Sequence, residues 1–158
     1  MRDAARDAAR ELAAAVDDRY RQPTEPSHVK GGQVDIPSRL HFTKGAFELA
    51  HLDRLSVPAR CLLTRSTDGH LRQRALATII DAPLAWVAPF VAFLLGDYVV
   101  EIVRDIEAAL PSLDQAVYAD FARENRQAMR LLRPRNIEPL QSRPNSTLSS
   151  AFRCGNTE

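Results

Sequence analysis

The sequence predicts an all-α fold in which short antiparallel helix pairs stack as a small solenoid or assemble as an irregular helical bundle. Three observations lead there. Apolar residues recur at three- and four-residue spacing through most of the stretch from Thr43 to Leu132. Residues that cap or stop helices punctuate that stretch at short intervals: Ser56, Asp68, Pro83, Asp97, Pro111 and Ser112. A composition of 45% hydrophobic and 26% charged residues over 158 positions is that of one globular domain, which excludes collagen-like, coiled-coil and wholly disordered chains.

Residues 1–20 read as a first helix, with Ala5, Ala9, Leu12, Val16 and Tyr20 on a modestly apolar face. Residues 21–42 contain Pro23, Pro26, Gly31, Gly32 and Pro37 and few large apolar groups, so they read as a linker or ordered loop. The helical domain follows over 43–133. Thr43 caps a short helix to Leu52, and Ser56 with Pro58 in the first turn opens another that buries Cys61, Leu62 and Leu63. After the turn at Ser66 to Gly69, Leu71, Ala75, Leu76, Ile79 and Ile80 mark a third helix, ended by Asp81-Ala82-Pro83. Trp86 to Leu95 is the most apolar helix, with Pro89 tolerated near its start.

Asp97 begins the next helix. Val99, Ile102, Val103, Ile106 and Leu110 form its buried stripe, with Glu101, Arg104, Asp105 and Glu107 opposite. Ser112 and Gln115 make a capping-box pattern that opens a last helical stretch carrying Val117, Phe121, Met129 and Leu132, with a break at Asn125. Residues 134–158 are rich in Pro, Ser, Asn and Thr and read as a disordered tail.

The segment from Asp68 to Leu76 places an Asp turn before an aliphatic residue, an arginine, two variable positions, Ala and Leu. Its apolar positions recur 31 residues later, as Leu71 with Ile102, Ala75 with Ile106 and Ile79 with Leu110. Between them lie Trp86 to Val91 and Leu94-Leu95-Gly96-Asp97. Over about residues 56–110 the chain resembles HEAT-like helical repeat proteins, with Val103 standing where the repeat carries its arginine. The resemblance implies stacked helix pairs sharing one core, an interaction surface, and no catalytic residues.

Glu48 and His51 form an E-x-x-H pair on one helix face, but a di-iron site needs the motif twice and no second copy exists. No metal or cofactor is expected, and a solvated pair is the reading. Asp97, Glu101 and Asp105 fall at i, i+4 and i+8 and read as a surface stripe of acids. There is no phosphate-binding loop, dinucleotide glycine fingerprint, serine elbow, or cysteine with a neighbouring base, so the expected protein is not an enzyme.

Charge offers one lead. Arginine and lysine total 21 against 20 acids, a net charge of +1, yet only Lys30 and Lys44 are lysines. Arg123, Arg126, Arg130 and Arg133 follow helical steps of three, four and three. Across residues 123–143 six arginines face two glutamates, a net charge of +4. Such a stripe suits phosphates or an acidic partner. The leading expectation is an interaction or scaffold module with a protein partner. The alternatives are a nucleic-acid-associated domain that uses the four arginines, or a piece of a longer repeat protein that self-associates.

Two cysteines, Cys61 and Cys154, are too few for a disulfide framework and suit a reducing cytoplasm. The uncharged run from Ala82 to Gly96 falls short of the about 20 residues that a membrane span requires.

Overall fold

The computed structural model describes residues 2–17, 19–20 and 22–132. Helix α1 (Arg2–Ala13) buries Ala8 and Leu12 against Leu52, Ala59, Leu63, Leu71 and Ala75. Leu12 is buried as expected, but Ala9 is exposed and Ala8 takes the buried position instead. The helix stops at Ala13 because the chain beyond it finds backbone partners elsewhere. Asp17 N donates to His41 O (2.8 Å), Thr43 N donates to Ala15 O (2.8 Å), and Val16 bridges Phe42. Backbone groups engaged in this way cannot also continue a helix.

The largest correction concerns residues 21–42. They are not a linker, and the protein is not all-α. Strands β1 (Thr24–Val29) and β2 (Gly32–Pro37) form an antiparallel hairpin whose register runs from Thr24↔Pro37 to Val29↔Gly32. Lys30 and Gly31 make the turn with φ of 50° and 74°. Two left-handed residues give the turn twist that matches the strands. Ser27 and Ile36 are buried, and Val29 and Val34 are half-buried, so one face of the hairpin lies on the helices. Ile36 belongs to the same apolar cluster as Cys61, Leu76, Ile79, Phe90, Leu94, Ile102 and Ile106, which makes the hairpin part of the core.

Proline is tolerated in β1 for a definable reason. His28 N–H and C=O both point away from β2, to the side chain of Asn125. Pro26, two residues back, therefore turns its nitrogen to the same outer edge, where the ladder needs no donor.

A 3₁₀ helix at Leu49–Arg54 replaces the helix expected from Thr43, with Glu48 and not Thr43 at its cap position. Helices α2 (Val57–Leu63) and α3 (Gly69–Ala77) start where expected. Ser56 Oγ accepts from Ala59 N (3.3 Å), and Asp68 Oδ1 accepts from His70 N (2.9 Å) and Leu71 N (3.4 Å).

The apolar run is one α-helical turn and more, α4 (Ala88–Ala92), flanked by 3₁₀ turns at Ala85–Val87 and Phe93–Gly96. Phe90 is buried, while Trp86 is only half-buried at the edge of the cluster.

In α5 (Val100–Ala109) the expected stripe holds at Ile102 and Ile106, which are fully buried, and fades at Leu110, which is 47% exposed. Helix α6 (Gln115–Glu124) is capped by Asp114, whose carboxylate accepts from Ala116 N and Val117 N. Ser112 instead donates its hydroxyl to Ala109 O, so the expected capping box does not form. Helix α7 (Arg126–Leu131) follows a break at Asn125. Among the described residues, no helix is long and apolar enough to cross a membrane. The expected tail, 134–158, lies outside the described residues.

Candidate functional site

The interior holds a charged centre where the chain enters α5. Arg72 lies on α3 three, four and seven residues before Ala75, Leu76 and Ile79, all of them buried, so helical geometry turns the arginine inward with them. Its side chain is wholly buried. Nη1 donates to the carbonyls of Ser66 (2.9 Å) and Thr67 (3.1 Å), and Nη2 donates to Asp97 Oδ1 (2.9 Å).

Asp97 follows the 3₁₀ turn in an extended conformation. Its Oδ1 also accepts from Val99 N (3.0 Å), a local bond that shapes the entry to α5. One carboxylate thus joins the α2–α3 turn to the start of α5. Gly69 leaves the space this needs, since a Cβ there would lie 3.2 Å from Val99 Cγ2.

Two further arginines complete the centre. Arg39 Nη2 donates to Asp97 Oδ2 (3.1 Å) and Nη1 to the carbonyl of Ser38 (3.2 Å). Arg65, 6% exposed, donates Nε to Pro37 O (2.9 Å) and Nη2 to Ser38 O (2.6 Å). Its guanidinium also lies 5.7 Å from the Phe93 ring centroid. The segment that carries Arg39 is held alongside residues 65–67: Leu40 N donates to Arg65 O (2.7 Å) and Thr67 N donates to Leu40 O (2.9 Å). Three guanidinium groups are therefore linked through two oxygen centres, Ser38 O and the Asp97 carboxylate.

The electrostatic consequences follow burial. Desolvation, aided by the Arg39 charge, pulls the Arg65 guanidinium down to about 10. Desolvation and the Arg72 charge lower Arg39 against the pull of Asp97. Burial is the largest single influence on Arg72 and opposes its charge, but hydrogen bonding and charge from Asp97 and Tyr98 together outweigh it, and the net direction is upward. Tyr98 is 72% exposed and takes the Arg72 guanidinium 5.2 Å from its ring centroid, so the buried centre reaches the surface at an aromatic side chain.

The arginines expected to act together are placed differently. Arg123 lies in the last turn of α6 and pairs with Asp120 (2.8 Å), whereas Arg126 and Arg130 lie on α7; all three are exposed. Arg133 lies outside the described residues. The helix that would have aligned them breaks at Asn125, where φ is −120° and ψ is 41°.

Asn125 is buried and bonds as a strand would. Its Oδ1 accepts from His28 N (2.7 Å), and its Nδ2 donates to His28 O (2.7 Å) and to Phe121 O (2.8 Å). A side chain that closes the edge of β1 in this way leaves the α6–α7 backbone no freedom to run straight.

The acidic stripe is also revised. Asp97 precedes α5 and its side chain is fully buried, while Asp105 on the helix accepts from Gln73 Nε2 (2.8 Å) and Glu101 is exposed. Glu48 and His51 form an exposed pair, Nδ1 to Oε2 at 2.6 Å, and no third ligand joins them; among the described residues no three His, Cys, Asp or Glu side chains gather as a metal site would require. A cleft between the α3 end and α6, lined by Asp81, Leu84, Leu113, Asp114 and Tyr118 among others, holds about 110 Å³. Small-molecule sites are usually about 300 Å³ or more.

Of the site residues, Arg72 carried a legible signal, being a charge at helical spacing among apolar positions. Arg39 and Arg65 carried none. No family model, curated protein or solved structure matches this chain, and nothing in those comparisons indicates HEAT-like repeats.

Proposed function

We propose that this chain is a non-enzymatic interaction module whose contact surface is centred on Tyr98. The observation that carries the reading is the pairing of an exposed aromatic ring with a buried support. Tyr98 is 72% exposed, Val100 beside it is 53% exposed, and beneath them Arg72 and Asp97 are locked into one hydrogen-bonded unit. An aromatic side chain already ordered on a rigid base loses little entropy on contact, and tyrosine and arginine are the residues most enriched at binding hot spots.

The test is photo-crosslinking from position 100 in cells that make the full chain, with and without Tyr98→Ala. The reading expects discrete crosslinked products that Tyr98→Ala removes while circular dichroism and Tm stay unchanged. Identical products with and without the ring would end it.

A second reading rests on α7, where Arg126 and Arg130 stand four apart and exposed. In that reading the chain associates with nucleic acid. Affinity for duplex or single strands should then fall steeply with salt, and Arg126→Gln should flatten the dependence by about one unit of slope. No salt-sensitive binding at low ionic strength removes it.

A further inference from the structure

The charged centre is unbalanced. Arg39, Arg65 and Arg72 converge on it, and among the described residues the one carboxylate that pairs with any of them is Asp97, bonded to Arg39 and Arg72. Arg65 has no acidic partner at ion-pair distance among the described residues. Glu25, exposed on β1, acts on it only from farther away.

Polar atoms are left over at both ends. Arg65 Nη1 and Arg72 Nε are buried and have no hydrogen-bond partner among the described residues. Unpaired guanidinium donors in a dry interior are costly to keep, and an anion that accepts from them removes that cost. The centre meets solvent at Arg39, whose side chain is 27% exposed and lies with Arg65 on the same Ser38 carbonyl.

We infer that the Arg39–Arg65 end of this centre binds a phosphate-class oxyanion. Both guanidinium groups donate to the one Ser38 carbonyl, and Arg65 Nη1 is left without an acceptor, which an oxyanion oxygen would supply. Arg39 is the member that meets the anion from solvent, and Arg65 supplies a charge that no carboxylate among the described residues meets at ion-pair distance. The inference goes beyond the interaction surface at Tyr98 and does not depend on it.

The experiment is thermal unfolding of the full chain in sodium phosphate against sodium chloride at equal ionic strength and pH, with calorimetric titration of inorganic phosphate. Phosphate should raise Tm by about 5 °C or more near saturation, beyond any effect of chloride. Arg39→Gln should weaken phosphate binding roughly tenfold or more, and Arg126→Gln should leave it intact. Direct titration of phosphate into each folded variant keeps the test valid if Arg39→Gln also changes stability.

O-phosphoserine separates the sources of the group. Tighter binding than inorganic phosphate points to a phosphate carried on polypeptide, and equal binding to the free ion. Phosphate that acts no differently from chloride overturns the inference. So does a response that survives Arg39→Gln.

Discussion

Arg72 and Arg126 are both helical arginines close to apolar residues, and they do opposite things. Arg72 sits on the same helical face as Ala75, Leu76 and Ile79, is fully buried, and shares the Asp97 carboxylate with Arg39. Arg126 opens α7 beyond a break and stands in solvent, as do Arg123 and Arg130. The same side chain in one region joins three segments of the fold and in the other leaves it untouched. A guanidinium's role is thus set by the oxygens it meets and the water it has lost. How many arginines a stretch contains decides little.

The sharpest way to break this comparison is to remove the carboxylate. Asp97→Ala should destabilise the protein by about 3–5 kcal/mol, because it leaves a buried Arg72 charge without its partner. Denaturant unfolding would measure it, and a loss below about 1 kcal/mol would mean that the centre is not a structural joint. Truncations in the apolar core beside it form the reference. Phe90→Ala and Ile106→Ala should cost about 2–5 kcal/mol each by opening cavities among buried neighbours.

Asn125→Ala comes next, at about 1–3 kcal/mol, since His28 N–H and C=O lose their partners at the hairpin edge. Amide exchange at His28 should rise in step. Unchanged protection there would show that Asn125 does not hold the hairpin.

Arg126→Gln and Arg130→Gln should each change stability by less than about 0.5 kcal/mol, as exposed substitutions do. A larger loss would place the α7 arginines in the same class as Arg72.

A pH effect that is nil at neutrality comes last. Burial pushes the Cys61 thiol up to about 12 and the Tyr118 hydroxyl to about 12. The unfolded chain loses these protons first, near the ordinary values of 9.0 and 10.0, so stability should hold below pH 9 and fall as pH rises toward 12. With Cys154→Ser in place, a thiol reagent at pH 8 should label Cys61 only as fast as the protein unfolds. Rapid labelling of the folded chain would show that the core around Cys61 opens more readily than its packing implies.

The parts of the molecule that could be read in advance share a physical character. Ser56 and Asp68 cap helices through bonds reaching two or three residues along the chain. Phe90, Ile102 and Ile106 are buried because a helix repeats its face every three or four positions. The break at Asn125 was also legible as a change in pattern.

The hairpin was not legible as apolar alternation. Its strands carry only Val29, Val34 and Ile36 as large aliphatic residues, and two prolines mimic a loop. Lys30-Gly31 was the available turn signal, and it becomes meaningful once β1 and β2 are seen to pair.

What the sequence determined by itself is therefore the set of helices from residue 57 to residue 131, the starts of α2 and α3 at Ser56 and Asp68, and the apolar stripe that packs them. What only the tertiary structure decided is every contact that crosses the chain. Asp97 meets Arg72 across 25 positions and Arg39 across 58, and Asn125 meets His28 across 97. Periodicity and capping act within a few residues, so they are written in local order. A buried charge pair or a side chain closing a strand edge depends on which distant segments the core brings together, and no local pattern encodes that.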